Sequence, residues 1–341
     1  MSGAPRERAT LLDVARASGV SRQTVSNVLN NPHRVAPGTL QRVSADIERL
    51  GFRPNRAARS LRRRRANALG IQVQSAPTRA FGTIFDPFLA ALTSAAQDSD
   101  SHLITFVAED DRDVLATYER LLATQVVDGF VLTDTRRGDP RPGWLGDRGV
   151  PFVSFGRIWD DPSVTSWVDV DGRAATCDGV RHLRAQGYRR VAYLGWPEGS
   201  PVGDNRRQGW LEATTELGQD CARFLGTCSQ DVMRAREAAG PLLAGLDPGD
   251  AVLCVSDSVA LGVLLALGQC GRAAGSDIGV LGFDDCDFAP VFGLSSIRQP
   301  LDAIARELIH KLADDRAQDH GSVVSPTVVQ RSSTTRGPAT R

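Results

Sequence analysis

Between residues 10 and 51, apolar residues recur every three or four positions, in three short runs separated by turn-forming residues. That spacing predicts three short amphipathic helices rather than strands. Each run also begins with a residue suited to a helix start and stops at glycine or proline, which end helices. The predicted helical segments run from Thr10 to Gly19, from Ser21 to Pro32 and from Pro37 to Gly51.

From Leu69 onward the pattern changes to short, continuously apolar segments that alternate with helical ones. LGIQV, HLITFV and VDGFVLT are examples of the apolar segments, and DPFLAALTSAAQ and VLATYERLLATQ of the helical ones. Such alternation predicts parallel sheets covered by helices on both faces. It continues for about 220 residues, more than a single open sheet usually needs. We therefore expect an α/β protein with two doubly wound subdomains behind an all-α N-terminal domain.

The charge distribution separates the two regions. The formal net charge is +0, yet residues 1–65 hold 14 arginines, no lysine and four acidic residues, which gives +10 and leaves −10 for the rest. A strongly basic N-terminal region followed by an acidic remainder of the chain indicates that a polyanion binds the N-terminal region and not the rest.

Other features narrow the class of protein. The N-terminal residues lack the apolar core of a signal peptide, and no run of 18 apolar residues occurs, so we expect a cytoplasmic protein without a membrane partner. The cysteines form no C-x-x-C pair, and we expect reduced thiols, no metal site and no cofactor. These cysteines are Cys177, Cys221, Cys228, Cys254, Cys270 and Cys286.

The second predicted helix has one polar face of a particular kind. At 3.6 residues per turn, five hydrogen-bonding residues share an arc of roughly 140°, and the opposite side is less polar. The arc holds Arg22, Gln23, Ser26, Asn27 and Asn30, and the opposite side Thr24, Val25 and Val28. Arginine can bind guanine O6 and N7, and glutamine or asparagine can bind adenine N6 and N7. The pattern indicates a base-reading helix, and an ordinary polar surface helix is the alternative.

The residues around this helix resemble a known family. T-L-L-D-V-A, G-V-S-R-Q-T-V-S and G-F-R-P-N-R-A-A-R-S-L together resemble the N-terminal domain of the LacI/GalR family. The resemblance implies a helix-turn-helix in which Arg22 and Gln23 read the major groove. It also implies that Ser26 and Asn27 support them, and that Thr10, Ser21 and Thr24 contact phosphates. Leu40 departs from the family, which usually has a basic residue there.

The segment after the third helix is short and basic. In the family, the part matching Asn55–Leu61 becomes helical when two copies meet on the operator, and seven residues are too few for a stable isolated helix. The resemblance assigns DNA contacts to Asn55, Arg56 and Ala58, and a minor-groove wedge to Leu61. The alternative for Leu61 is an ordinary linker leucine.

The rest of the chain resembles periplasmic sugar-binding proteins, whose two α/β subdomains enclose a ligand cleft. Ligands of open α/β sheets lie beyond the carboxyl ends of the strands, so residues that follow strands are candidates. The polar candidates are Arg157, Arg206 in the R-x-x-G-aromatic motif, Ser256, Asp257 and Asp284. The aromatic candidates are Phe81, Phe85, Trp167 and Trp196. Surface ion pairs and core packing are the alternatives, and Asp171 is expected to cap a helix.

These predictions define the domains. We expect a DNA-binding domain at 1–53, a hinge at 54–66 and an effector-binding core at 67–341. Within the core, one subdomain takes 67–170 with 297–325, and the other takes 171–296 with 326–341. The C-terminal sequence contains no heptad helix, which favours a homodimer over a tetramer held by a terminal bundle.

The predicted function is that of a transcription regulator that binds a palindromic operator as a dimer. A repressor of carbohydrate-utilisation genes with a sugar effector is the first expectation. A nucleobase co-repressor and an activator are the alternatives within the family. An enzyme with a fused DNA-binding domain is disfavoured, because the chain contains none of the phosphate-loop, nucleophile-elbow or dinucleotide-binding motifs. A free-standing sugar-binding protein is excluded by residues 10–61.

Overall fold

The computed structural model describes residues 9–52, 66–74, 83–108, 111–314 and 320–336. The chain divides into two compact units, Met1–Arg65 and Ala66–Arg341. The predictions for Asn55, Arg56, Ala58, Leu61 and Phe81 lie outside the described residues.

The N-terminal unit contains the three predicted helices. They are α1 (Leu11–Ala17), α2 (Arg22–Asn30) and α3 (Pro37–Leu50), with a 3-10 turn at Pro32–Arg34 between the last two. Thr10 and Asp13 form a reciprocal capping box at the start of α1, with Thr10 N–H donating to Asp13 Oδ2 at 2.8 Å. Gly19 and Gly51 end α1 and α3 with φ of 62° and 61°, a conformation that favours glycine. The predicted helix boundaries are confirmed.

The small hydrophobic core of this unit contains one fully buried valine from each helix. Val14 from α1, Val25 from α2 and Val43 from α3 are fully buried, and Phe52 closes the cluster after α3. Leu40 packs on the same cluster. Its apolar side chain therefore serves the core at a position where the family usually has a basic residue.

The first part of the second unit is a six-stranded parallel sheet. Its strands are β1 (Ala68–Gln72), β2 (His102–Phe106), β3 (Gly129–Leu132), β4 (Phe152–Phe155), β5 (Trp167–Val170) and β11 (Ser322–Val324), in the spatial order β11-β5-β4-β3-β1-β2. Its helices are α4 (Phe85–Asp98), α5 (Asp111–Ala123), α6 (Pro140–Gly146) and α11 (Leu301–Ala313).

Neighbouring apolar residues of each strand contribute to separate hydrophobic cores, one on each face of this sheet. Val131 and Val153 belong to the cluster shared with α4 and α11, whereas their neighbours Phe130 and Phe152 belong to the cluster shared with α5 and α6. Successive side chains of a strand point to opposite faces, so a continuously apolar strand must be covered on both. The sheet is therefore doubly wound, as predicted.

The second part is another six-stranded sheet. Its strands are β6 (Val191–Gly195), β7 (Leu225–Thr227), β8 (Asp250–Cys254), β9 (Ile278–Asp284), β10 (Ser295–Arg298) and β12 (Thr327–Val329), in the order β12-β10-β9-β8-β6-β7. All pairs are parallel except β10 with β12. Its helices are α7 (Gly172–Ala185), α8 (Pro201–Glu216), α9 (Val232–Ala244) and α10 (Asp257–Gln269), with 3-10 turns at Ala222–Phe224 and Ser332–Thr334.

Glycines bring the helices of this subdomain close to their neighbours. A Cβ at Gly179 of α7 would lie 3.1 Å from Leu281 on one face of β9. A Cβ at Gly282, on the other face, would lie 3.4 Å from Ala260 of α10. The same logic explains the R-x-x-G-aromatic motif, because a Cβ at Gly209 would overlap the carbonyl of Arg173.

The chain crosses between the two subdomains at three places. The first crossing follows β5, and Asp171 there caps α7 by accepting from Ala174 N–H at 2.9 Å, as predicted. The second was predicted after Ser296, but Ile297 and Arg298 still pair with β9, so the chain leaves the second sheet after Arg298. The third lies between β11 and β12.

Candidate functional site

The outer face of α2 is the first candidate site. Arg22 and Gln23 are exposed, while Val25 and Val28 on the opposite side are buried against the helical core. Ser26 and Asn27 are half-buried, and Gln23 Nε2 donates to Asn27 Oδ1 at 3.3 Å. The core fixes the helix orientation, so the polar arc is presented outward as one preformed surface for base edges.

The start of α2 combines a side-chain cap with a helix N-terminus that suits an anion. Ser21 Oγ accepts from Thr24 N–H at 3.1 Å and lies 2.9 Å from Thr24 Oγ1. The N-terminus of α2 carries no acidic residue in its first turn. Helix N-termini favour anions through their unpaired N–H groups and dipole, which suits phosphate contacts at Ser21 and Thr24.

A cavity of about 730 Å³ in the second unit is the other candidate site. It lies between the carboxyl ends of the two sheets, where the fold places ligand sites. The first subdomain contributes Gln74, Phe85, Asp86, Asp134, Arg136, Phe155, Trp159 and Asp169 among others. The second contributes Trp196, Ser200, Asn205, Arg206, Gln230 and Asp284 among others, and Gln299 lines the cavity at the second crossing.

Arg206 and Asp284 form the polar centre of one wall. Arg206 is 6% exposed, and its NH1 donates to the carbonyl of Val255 at 2.6 Å. Its NH2 lies 3.5 Å from Asp284 Oδ1, which also accepts from Gln299 Nε2 at 2.7 Å. The guanidinium stacks on Phe283, with 3.6 Å between Cζ and the ring centroid. Both charged groups are thus held in place before any ligand arrives.

Asp284 has an unusual backbone conformation. Its φ is 112°, in a region that non-glycine residues rarely adopt, and Asp285 follows with φ of 57°. Burial raises the pKa of Asp284, and the nearby guanidinium of Arg206 opposes that shift. Strained backbone beside a buried carboxylate at a cavity wall is typical of functional sites.

Asp257 lies behind this wall and holds the strained turn. Its Oδ2 accepts from Cys286 N–H at 2.7 Å, and its Oδ1 accepts from Ser296 Oγ at 2.6 Å. Burial, together with the nearby charge of Asp284, raises the pKa of Asp257 to about 8. A side chain at Gly282 would overlap this carboxylate, which explains the glycine of the G-F-D-D sequence.

Two family models match the chain. The model described as bacterial regulatory proteins, lacI family, matches residues 10–55, and a periplasmic binding protein-like domain matches residues 180–334. The regulator CelR of Thermobifida fusca is 33% identical over 317 residues, which cover 91% of this chain and 92% of CelR. The chain belongs to the LacI family. It is a DNA-binding transcriptional regulator.

Solved structures of LacI-family proteins show the same architecture. A complex of the regulator CelR with cellobiose has a TM-score of 0.70 and 27% identity, covering 96% of this chain and 100% of that one. The lac repressor dimer bound to operator and an anti-inducer has a TM-score of 0.77 and 24% identity, covering 96% and 99%. The second comparison concerns the fold alone.

The structure brings four of the predicted effector residues to the cavity wall: Phe85, Trp196, Arg206 and Asp284. It places four other described candidates outside the lining. Ser256 and Asp257 are fully buried at the start of α10, where Ser256 Oγ accepts from Val259 N–H. Arg157 and Trp167 also lie outside the lining. Arg157 pairs with Asp169 at 2.6 Å, and a side chain at Gly321 would overlap the Trp167 ring.

Asp134, Trp159 and Gln299 are among the lining residues that were not predicted. Asp134 lies two residues beyond β3 and has φ of 52°, so the rule that ligand sites lie beyond strand ends could have found it. Gln299 follows β10 in the same way. Trp159 lies in the β4–β5 connection, four residues beyond the strand, where sequence periodicity gives no signal.

Within the described residues, no cluster of three or more potential metal-ligating side chains occurs. None of the helices described there is long and apolar enough to cross a membrane.

Proposed function

We propose that this LacI-family regulator is a cytoplasmic, homodimeric repressor that binds a palindromic operator and releases or retains it in response to a saccharide. The observation that carries the effector part is the pairing of Arg206 and Asp284 on the wall of a cavity of about 730 Å³. A non-enzymatic role is part of the proposal.

The operator part rests on the first unit. Arg22 and Gln23 on the exposed face of α2 are proposed to read base edges in each half-site. Ser26, Asn27 and Asn30 support them, and Thr10, Ser21 and Thr24 contact the backbone. The basic hinge residues, with Leu61 as a minor-groove wedge, are proposed to meet their counterparts at the centre of the site.

The effector part rests on hydrogen-bonding chemistry. Arg206 offers several donors in one plane, and Asp284 offers acceptors beside them, which together suit the adjacent hydroxyls of a sugar. A cavity of about 730 Å³ exceeds what one pyranose ring fills and lies in the range that holds larger ligands. A regulator CelR that is 27% identical to this chain has been solved with the disaccharide cellobiose. We infer an oligosaccharide effector.

The dimer part rests on exposed apolar side chains and on operator symmetry. Val291 is 80% exposed and Phe292 is 51% exposed, on the turn between β9 and β10. Large apolar residues exposed side by side typify protein–protein contact surfaces. A two-fold symmetric operator requires two α2 helices, which a dimer supplies.

A combined binding experiment tests the proposal. Purified full-length protein is screened by thermal shift against neutral saccharides and nucleobases, and the hits are added to a gel-shift assay with operator DNA obtained by site selection. We expect a saccharide to raise the melting temperature and change operator affinity. A nucleobase hit that changes operator affinity, with no response to any saccharide, would refute the sugar effector.

A further inference from the structure

A smaller cavity of about 200 Å³, which we call the side pocket, adjoins the large one. Six residues line both cavities: Val73, Gln74, Phe85, Thr133, Asp134 and Arg136. Five residues line the side pocket alone: Gln72, Ala108, Val114, Asp139 and Arg141. Every described residue of its lining belongs to the first subdomain. The side pocket therefore lies to one side of the cleft, within a single subdomain.

The charged groups at the inner end of the side pocket are paired with each other. Arg141 Nε donates to Asp139 Oδ1 at 3.0 Å, and Arg141 NH2 donates to Asp139 Oδ2 at 2.7 Å. NH2 also donates to the carbonyl of Thr133 at 2.9 Å, so the guanidinium fixes the segment that follows β3. The side chains of Arg141 and Asp139 are 10% and 3% exposed. Because each charge already has its partner, the inner end of the pocket does not require a charged ligand.

Gln72 keeps part of its hydrogen-bonding capacity for a ligand. It is the last residue of β1 and is half-buried. Its Nε2 donates to the carbonyl of Ala108 at 3.2 Å, and its Oε1 accepts from Arg141 NH1 at 3.3 Å. A primary amide has two N–H donors and an oxygen that can accept two bonds. Among the described residues, one donor and one acceptor position of Gln72 therefore remain. A hydroxyl group matches them, because it both donates and accepts.

The position of the side pocket limits what its occupant can do. A ligand shifts a conformational equilibrium only through interactions that differ between the two states. Contacts within one subdomain persist when the angle between the subdomains changes, because the pocket moves as a part of that subdomain. A group bound in the side pocket therefore adds the same binding free energy at every interdomain angle and shifts nothing by itself.

We propose that the side pocket is a subsite for one terminal sugar unit of the effector, and that this subsite adds affinity without adding to the switch. The volume of about 200 Å³ has room for roughly six water molecules at about 30 Å³ each, or for a single sugar ring in their place. The inference rests on the proposed oligosaccharide-responsive function. It goes further by separating the part of the site that only binds from the part that also switches.

The test uses the full-length protein and pairs of saccharides that differ by one unit: cellobiose and cellotriose, maltose and maltotriose, and sucrose and raffinose. Calorimetry gives the dissociation constant of each saccharide. Gel shifts give the change in operator affinity at saturating saccharide. Gln72→Met keeps the length of the side chain but removes the amide. Gln97→Met is the matched control, because Gln97 is exposed on α4 and lies outside both linings. Operator binding without saccharide checks that each variant folds, and a crystal structure of the wild type with the tightest-binding saccharide shows what occupies the side pocket.

We expect the tightest-binding saccharide to place a sugar unit within hydrogen-bond distance of Gln72, and Gln72→Met to weaken its binding by about 3- to 10-fold. At saturation, Gln72→Met should still show the wild-type change in operator affinity, because both interdomain arrangements lose the same contact. Gln97→Met should match the wild type in both measurements.

A side pocket that holds only water in the complex, or a Gln72→Met variant with wild-type saccharide affinity, overturns the subsite but leaves the saccharide effector standing. A reduced response of Gln72→Met at saturating saccharide overturns the separation of binding from switching. If Gln72→Met does not fold, the structure of the wild-type complex decides whether the subsite exists. If no saccharide binds the wild type, the proposed function itself fails, and this inference with it.

Discussion

Asp285 offers a direct measurement of how burial sets the strength of an ion pair. Its carboxylate, 4% exposed, lies 2.6 Å from Arg298 Nε and 2.6 Å from Arg331 NH1. The two distances are equal, but the Arg298 side chain is 54% exposed and that of Arg331 is 16% exposed. At equal separation the Coulomb energy depends on the effective dielectric, which is higher around the exposed partner.

The expected coupling energies therefore differ. For Asp285 with Arg298 we expect about 0.2–1 kcal/mol, the usual range for an exposed pair. For Asp285 with Arg331 we expect about 2–3 kcal/mol, below the cost of breaking a fully buried pair because Arg331 retains some solvent contact. Arg331 NH1 also donates to the carbonyl of Leu294 at 2.7 Å, which holds its guanidinium in place.

Two double-mutant cycles measure these energies. One combines Asp285→Asn with Arg298→Met, and the other combines it with Arg331→Met. The free energy of unfolding is obtained from urea denaturation of the full-length protein, followed by tryptophan fluorescence that includes the buried Trp210 of this subdomain. Equal coupling energies in the two cycles would refute the reasoning, because they would show that solvent exposure does not decide the strength of these pairs.

Four further predictions follow from the two sites. Gln23→Ala should weaken operator binding by about 1–3 kcal/mol and relax preference at one base pair per half-site, and an unchanged consensus in site selection would contradict this. Asp284→Asn should weaken effector binding in calorimetry by roughly 10- to 100-fold, through lost charge-assisted bonds, while gel shifts without effector stay unchanged. The pKa of Asp257 rises from 3.8 to about 8 on folding, so the folded state retains a proton that the unfolded state has lost. Stability should therefore fall as pH rises from about 4 to about 8, by at most about 1.4 kcal/mol per unit, and Asp257→Asn should flatten that decline in urea titrations. Leu61→Ala should reduce operator bending in circular-permutation gel shifts, and an equal bend would make Leu61 an ordinary linker residue.

The sequence was most informative where local interactions decide the structure. Thr10, Ser21 and Gly51 mark helix ends through bonds to residues a few positions away, and these predictions are confirmed. The alternating apolar segments likewise predicted the two doubly wound sheets. In the cleft, the resemblance of the R-x-x-G-aromatic motif to the family pointed to Arg206, and the structure shows that Gly209 of this motif accommodates the neighbouring helix.

Sequence reasoning was least informative about the direction of individual side chains near strand ends. Arg157 follows β4 as predicted, yet its guanidinium pairs with Asp169 and lies outside the cavity lining. Ser256 and Asp257 follow β8, yet a helix begins there and their polar groups satisfy backbone N–H groups. The rule that ligand sites lie beyond strand ends predicts the edge of the sheet at which a residue lies. It does not predict whether the side chain faces the cavity, because that depends on hydrogen bonds with residues distant in sequence.

The crossings between subdomains also form part of the cavity. Asp169 and Val170 at the end of β5 and Gly172 at the start of α7 flank the first crossing and line the cavity, as does Gln299 at the second crossing. A ligand there touches both walls and two of the segments that join them, so its binding free energy depends on the angle between the subdomains. Moving such an equilibrium from 1:99 to 99:1 requires about 5.5 kcal/mol of differential affinity. Contacts with Arg206 and Asp284 on one wall are available at any interdomain angle, so that differential affinity must come from contacts that a ligand makes with both walls at once. Because Trp159 and Trp196 line opposite walls, a ligand that contacts both must favour one interdomain angle.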